Sequence, residues 1–305
     1  SRGGCAFLMS RRNCEELEPL VDAHVSETVA NAPESCERGI ELHSRIPPQD
    51  WSVTLTELDD FVERVREEHR DGRIPQVPGE TSDHHDNFTE GPSMASVNLA
   101  VIIPETRRAG GMSWALMLHP EGRAIGAFVS HSFTECIYEF HRKVRGAMPG
   151  GLGSIWTCVL SNPQAWGREA LSVLMGPTPL TDSPCARAIP KAQVFLAVPS
   201  RDGTIFHRSW CALEAYVAFE HEVQVLPALD IFPRSKRTSI GSATAEVHRV
   251  QNITPLAVNQ LFAGFESVRL AQSSDSEVEA RIKEALRGKE DWLDGQIRGV
   301  MMELL

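Results

Sequence analysis

No stretch of the 305 residues approaches the ~18 consecutive apolar residues that a membrane-spanning helix needs. The run Cys5-Ala6-Phe7-Leu8-Met9 is too short for the core of a secretory signal. Neither a membrane span nor a cleaved leader is therefore expected, and Ser1, in place of an initiator Met, leaves open what precedes it. Basic residues are in deficit, with 30 Lys and Arg against 41 Asp and Glu and a formal charge of −11. A nucleic-acid surface needs a basic footprint, and the one tight basic run, Arg234-Ser235-Lys236-Arg237, reads as a solvated loop. The seven cysteines contain no CxxC pair, and an odd, scattered set argues for reduced thiols in the cytoplasm over a disulfide frame. A GK[ST] phosphate loop is missing as well. The glycine-rich Pro149-Gly150-Gly151-Leu152-Gly153 comes before a strand, where a phosphate cradle would follow one, so it reads as a turn. No His/Cys/Asp cluster has the spacing of a metal site. The adjacent residues of Asp83-His84-His85-Asp86 rarely converge on one ion and read as a polar loop.

What is present divides the chain in two. Residues 1–108 read as an irregular, partly helical extension, with a polar loop near 72–92 and an acidic helical piece that puts Leu58, Phe61, Val62 and Val65 on one face. Residues 109–305 read as an α/β domain. From about Ala124, short β-rich apolar runs alternate with helical periodicity, the pattern of a parallel sheet with helices on both faces. Five strands are expected, at residues 124–130, 154–160, 193–198, 223–228 and 265–270. Ser132-Phe133-Thr134-Glu135 reads as a capping box for a helix carrying Ile137, Phe140, His141 and Val144, closed by Gly146. Thr254-Pro255 and Ser274-Asp275-Ser276-Glu277 read as further helix starts. A last amphipathic helix uses Leu293, Ile297, Val300, Met301 and Leu304, most simply for core packing.

The stretch His207-Arg208-Ser209-Trp210-Cys211-Ala212-Leu213-Glu214-Ala215-Tyr216-Val217-Ala218-Phe219 carries a single acid. At about 100° per residue, Glu214 falls among Trp210, Cys211, Val217 and Ala218, a placement that costs free energy unless something compensates. Ligands of an open parallel sheet bind at the carboxyl ends of its strands. The residues leaving those ends are Ser130-His131-Ser132-Phe133, then 161–168 with Trp166, then 199–203 with Arg201, and the Glu214 helix follows directly. Glu214 is thus expected near a helix N-terminus, where the macrodipole favours an anion. A bland reading pairs it with Arg208 or His221 across a turn of helix, or has it cap a neighbouring loop. Cys211 and His207 stand four apart, as a thiolate and its base would, but no third group that would orient them is evident.

"AFVSHSF" (127–133), "SNPQAWGR" (161–168) and "RSWCALEAY" (208–216) together resemble three boxes of the TIR (Toll/interleukin receptor) family, over roughly residues 124–290. With "AGGMSWAL" (109–116) and "HPEG" (119–122), the closest resemblance is to a divergent TIR-like group found in algae. Two departures stand out: Gly126-Ala127 replaces the usual acid before the first strand, and Pro177, Pro179 and Pro184 interrupt the helix after the second. The resemblance implies a flavodoxin-like fold and an enzyme that hydrolyses or cyclises NAD+, with NAD+ as substrate and no cofactor. Glu214 would be catalytic, and Ser130, Phe133, Trp166, Arg201, Arg208 and Trp210 would contact substrate. The alternative it implies is a non-catalytic signalling module that self-associates through TIR-type surfaces.

Overall fold

The computed structural model describes residues 36–76, 90–166, 174, 180–199, 205–229, 265–273 and 276–302. Its sheet is built from β1 (Val53–Thr54), β2 (Ala127–Ser130), β3 (Ser154–Thr157), β4 (Val194–Ala197) and β5 (Gln224–Pro227), in the order β1-β3-β2-β4-β5. The last four members of that order run parallel. β1 is antiparallel to β3, with Val53 opposite Ile155 and Thr54 opposite Ser154. Four of the five expected strands are therefore present, each trimmed to four residues.

The all-parallel expectation needs correction at the fifth strand. Residues 265–267 have no regular structure and Val268–Leu270 is a 3-10 turn. The backbone there is satisfied locally by side chains, which compete with ladder pairing. Asp294 Oδ1 accepts the Val268 N–H at 2.8 Å, and Ser267 Oγ accepts the Arg269 N–H at 3.2 Å. The fifth position in the sheet is filled instead by β1, from the segment read as an extension.

Every residue of β2 and β4 is buried, so both faces of the sheet are covered. In-register aromatics stack across it: Phe128 lies 4.7 Å from Trp156 and 5.5 Å from Phe195, at interplanar angles of 15° and 12°. The helices used below are α1 (Glu37–Arg45), α2 (Leu55–Arg70), α3 (Ile137–Ala147), α4 (Pro184–Ala188), α5 (Ser209–Glu220), α6 (Ser276–Ala285) and α7 (Glu290–Met302). α2 starts with a reciprocal capping box. Thr54 Oγ1 accepts the Glu57 N–H, and Glu57 Oε2 accepts the Thr54 N–H at 2.7 Å. Its buried face is Leu58, Phe61, Val62 and Val65, as the periodicity requires.

The capping box expected at 132–135 does not form. α3 begins at Ile137 behind Cys136, with no side-chain cap. Ser132 Oγ turns back to the Thr134 N–H, and Glu135 is drawn into the core by Lys143. Ile137, Phe140 and Val144 are buried as expected. In α7 the buried apolar residues are Leu293, Ile297 and Met301. Residues 254, 255, 274 and 275, with the helix starts read there, lie outside the described residues.

The described part of residues 36–108 shares the core of the sheet. Leu42, Trp51, Val53, Leu58 and Met94 belong to one hydrophobic cluster with Phe128 and Trp156. The indole of Trp156 donates to Pro48 O at 3.0 Å, and that of Trp51 to Ile46 O at 2.8 Å. The Gly110-Gly111 turn has its explanation here. Gly111 adopts φ +81°, and a Cβ on it would stand 2.6 Å from Cys36 Cβ, so α1 can approach only a glycine.

If this segment is integral to the fold, Trp51→Ala should cost about 3–5 kcal/mol in urea unfolding, while Ile40→Ala at an exposed position stays within about 0.5 kcal/mol. An unchanged midpoint for Trp51→Ala would show that residues 36–76 fold apart from the sheet.

Candidate active site

α5 is apolar around most of its circumference, and nine of its twelve residues are buried. Glu214 is one of them, at 7% exposure. Its one hydrogen-bond partner among the described residues is Ser130, the last residue of β2, whose Oγ donates to Glu214 Oε2 at 2.6 Å. Neither Arg208 nor His221 forms an ion pair with it, so the pairing across a helical turn is not what the structure shows. The acid sits at the carboxyl ends of the parallel strands, where the topology puts ligand sites.

Three thiols and an imidazole complete the surroundings. Cys211 Sγ donates to His131 O at 3.6 Å, and Cys158 Sγ lies 3.4 Å from His131 Nε2. His131 Nδ1 faces Ser132 O at 3.1 Å. Burial pulls His131 down to about 4, so its ring is neutral, donating through Nδ1 and accepting at Nε2. Burial and the nearby Glu214 charge push the thiols up, Cys185 and Cys211 to about 12 and Cys158 well above its ordinary value. These are inert thiols, and Cys211 turns to a carbonyl rather than to a base. The Cys211–His207 reading is thereby set aside.

With neutral neighbours, burial raises Glu214 to about 7, opposed only by the Ser130 hydrogen bond. The macrodipole expectation fails for a geometric reason. Glu214 is the sixth residue of α5, beyond the first turn in which the dipole acts. Two further buried hydroxyls, Thr157 Oγ1 at the end of β3 and Ser209 Oγ at the start of α5, have no hydrogen-bond partner among the described residues.

The other expected contacts are only partly brought together. Phe133 stacks on His131, with centroids 5.6 Å apart. Arg208 is exposed at the start of α5, and its charge acts on His131, Cys158 and Cys211. Trp210 is partly buried against the core. Trp166 is committed elsewhere, its indole donating to Gly111 O at 2.5 Å and its ring edge-on to His43 at 5.4 Å. Arg201 lies outside the described residues, as do 167–173 and 200–204, which follow β3 and β4. A groove of about 160 Å³ is lined by α1, the turn after it and α4, and by none of the expected site residues.

The residues that sequence reasoning missed are His131 and the cysteines at 158 and 185. His131 alone had a signal, as the neighbour of Ser130 at a strand end. No group of three or more His, Cys, Asp or Glu among the described residues is arranged to hold a metal ion, and no described helix is long and apolar enough to cross a membrane. No family model, curated protein or solved structure matches the chain.

A carboxyl held at about 7 in place of 4.5 costs the fold on the order of 3 kcal/mol once ionised. Because the folded value is raised, the stability contribution is complete below 4.5 and lost as pH rises through about 7. Glu214→Gln should therefore gain stability relative to the parent as pH goes from 4.5 to 8, read as the difference in denaturant midpoints. A pH-independent gap between the two proteins would refute the raised value.

Proposed function

We propose that the chain cleaves the bond between nicotinamide and ribose in NAD+, as a TIR-like glycohydrolase or cyclase with Glu214 as its catalytic carboxylate. The observation that carries the reading is a buried acid with no cation paired to it among the described residues, held by one hydroxyl at the strand ends of a mostly parallel sheet. A structural carboxylate at such depth is ordinarily paired. One that is strongly perturbed and unpaired marks a functional site.

The chemistry needs one acid. Ordinary glycosidases use two carboxyls, one of which protonates the leaving group. Nicotinamide is already cationic when bound to ribose and departs neutral, so no general acid is required. Glu214 stabilises the positive charge that develops at the anomeric carbon, with an effect strengthened by its poorly solvated setting. Water, or a nucleophilic nitrogen of the same molecule, then completes hydrolysis or cyclisation. Ser130 acts as a positioning residue, since its hydroxyl is spent on Glu214. Phe133 and Trp210 are the aromatic contacts left for a ring, and Arg208 serves the diphosphate; Trp166 holds the N-terminal segment instead.

A second reading is a non-catalytic TIR-like interaction module. The observation favouring it is that Glu214 is only 7% exposed and the described groove lies elsewhere. Nicotinamide release from NAD+ by the purified chain, measured over a range of protein concentrations, separates the two. The catalytic reading expects release that falls on the order of 10²–10³-fold in Glu214→Gln. kcat/KM should drop as pH falls through about 7, because the carboxylate is the working form. Ser130→Ala removes the one bond that favours that carboxylate and should move this limb upward in pH. No release at any concentration leaves the interaction module.

A further inference from the structure

Beyond Val129, β2 keeps its ladder on one side only. Towards β4 the pairing continues, and the Val198 N–H donates to Ser130 O at 2.9 Å. Towards β3 it stops where Val129 faces Thr157, because Cys158–Ser161 coils into a helical turn. Side chains take over there, and they converge on His131. Its Nδ1 faces a carbonyl, Ser132 O, and so carries the ring's proton, which leaves Nε2 to accept from the Cys158 thiol at 3.4 Å. The carbonyl of His131 takes the Cys211 thiol at 3.6 Å. Cys211 and Glu214 are three apart on α5 and share a face. α5 therefore grips this corner twice, at the His131 carbonyl and at the Ser130 hydroxyl. The imidazole is 5% exposed, stacked on Phe133 and tilted against Phe140, with centroids 5.6 and 5.0 Å away. A histidine that only fills a core needs its two nitrogens satisfied. This one also joins the ends of β2 and β3 to α5, next in the chain to the residue that donates to Glu214.

We infer that His131 is a positioning residue of the candidate site: by holding the end of β2 against Cys158 and Cys211 it aims the Ser130 hydroxyl at Glu214 and backs the ring of Phe133. The role rests on the reading of Glu214 as the catalytic carboxylate. Hydrogen bonds weaken steeply with misalignment, and among the described residues the Ser130 bond is the one that Glu214 receives. That bond favours the carboxylate over the acid, so a Ser130 free to turn away raises Glu214 further above its ordinary value. The titratable groups that face Glu214 are the thiols of Cys158 in the helical turn, Cys185 in α4 and Cys211 in α5, with the Arg208 charge acting on the first and last. Burial holds all three thiols protonated and keeps His131 neutral above about 4, so the acid titrates alone near neutral pH.

The test follows the side-chain carboxyl of Glu214 by 13C NMR in the whole chain between about pH 5 and 9, its resonance assigned by loss in Glu214→Gln. His131→Phe keeps a ring between Phe133 and Phe140 and removes both nitrogens. Cys158→Ala breaks the link to β3 without touching that ring, and Cys158→Ser restores a donor to Nε2. The midpoint should rise by about one pH unit in His131→Phe and in Cys158→Ala, roughly the worth of one hydrogen bond to a charged group, and stay at the parent value in Cys158→Ser. In the nicotinamide-release assay the low-pH limb of kcat/KM should move with it. A residue that merely filled the core would lower the thermal midpoint and leave the titration where it was. Thermal unfolding at about pH 5, with Glu214 protonated, shows which variants are folded; should His131→Phe not fold, the two Cys158 variants decide. The titration is read whether or not the chain releases nicotinamide, so failure of the inference and failure of the catalytic reading are separate results. The assignment is overturned by an unchanged midpoint in folded His131→Phe or in Cys158→Ala, or by Cys158→Ser moving as far as Cys158→Ala.

Discussion

The catalytic reading of this chain depends on one carboxylate buried against one hydroxyl. α5 is enclosed by the core around most of its surface, so a polar side chain on it cannot reach water without disturbing the packing. Glu214 meets a single good donor, Ser130 Oγ at 2.6 Å, and otherwise thiols raised far above the range in which they ionise. A carboxylate can accept about four hydrogen bonds. One donor leaves most of that capacity unused, which is why the acid moves towards neutral pH.

The same molecule holds a second buried acid, one that has a cation beside it. Glu135 is as deeply enclosed as Glu214, at 3% exposure. Lys143 Nζ donates to its Oε1 at 2.7 Å and also to Pro199 O at 2.5 Å. One ammonium thus ties the segment after β2 to the segment after β4, and α3 supplies it from behind. Burial still pushes Glu135 up to about 8 against the pull of Lys143, and its Oε2 has no hydrogen-bond partner among the described residues. Removing one partner of such a pair leaves a lone buried charge, so the two are retained together. Among the described residues Glu214 has no equivalent of Lys143, so the two acids of one sheet rim differ in what accompanies them.

Parts of this arrangement were legible in the sequence because their causes are local. The four parallel strands announce themselves as apolar runs, α2 by its periodic face, and Glu214 as the one acid of the apolar stretch 207–219. β1 gave no signal: two residues carry no period, and its pairing with β3 joins positions about a hundred residues apart. Residues 265–270 show apolar residues at strand spacing, yet Asp294, which takes the Val268 N–H, comes from a helix further along the chain. Ser132 and Glu135 have capping-box spacing, but a buried lysine nearly two helical turns into α3 outcompetes the cap for the glutamate. The thiols around Glu214 come from β3's end, α4 and α5, so only the folded chain assembles them.

α4 links the Glu214 site to the groove beside α1. It is five residues long, held at its start by Ser183, whose Oγ accepts the Ala186 N–H at 3.4 Å and meets Cys185 Sγ at 3.1 Å. Pro184 and Arg187, three apart and hence on one face, line the groove beside α1. Cys185 points inward, close enough to Glu214 for that charge to raise its thiol. Trp166 joins the same two regions from the β3 side, touching the groove through His43 while following the strand that ends at Thr157. Packed interiors pass on small displacements because they leave no void to absorb them. α4 thus has one face on the groove and the other towards Glu214, so the packing around the acid is shared with the groove's wall.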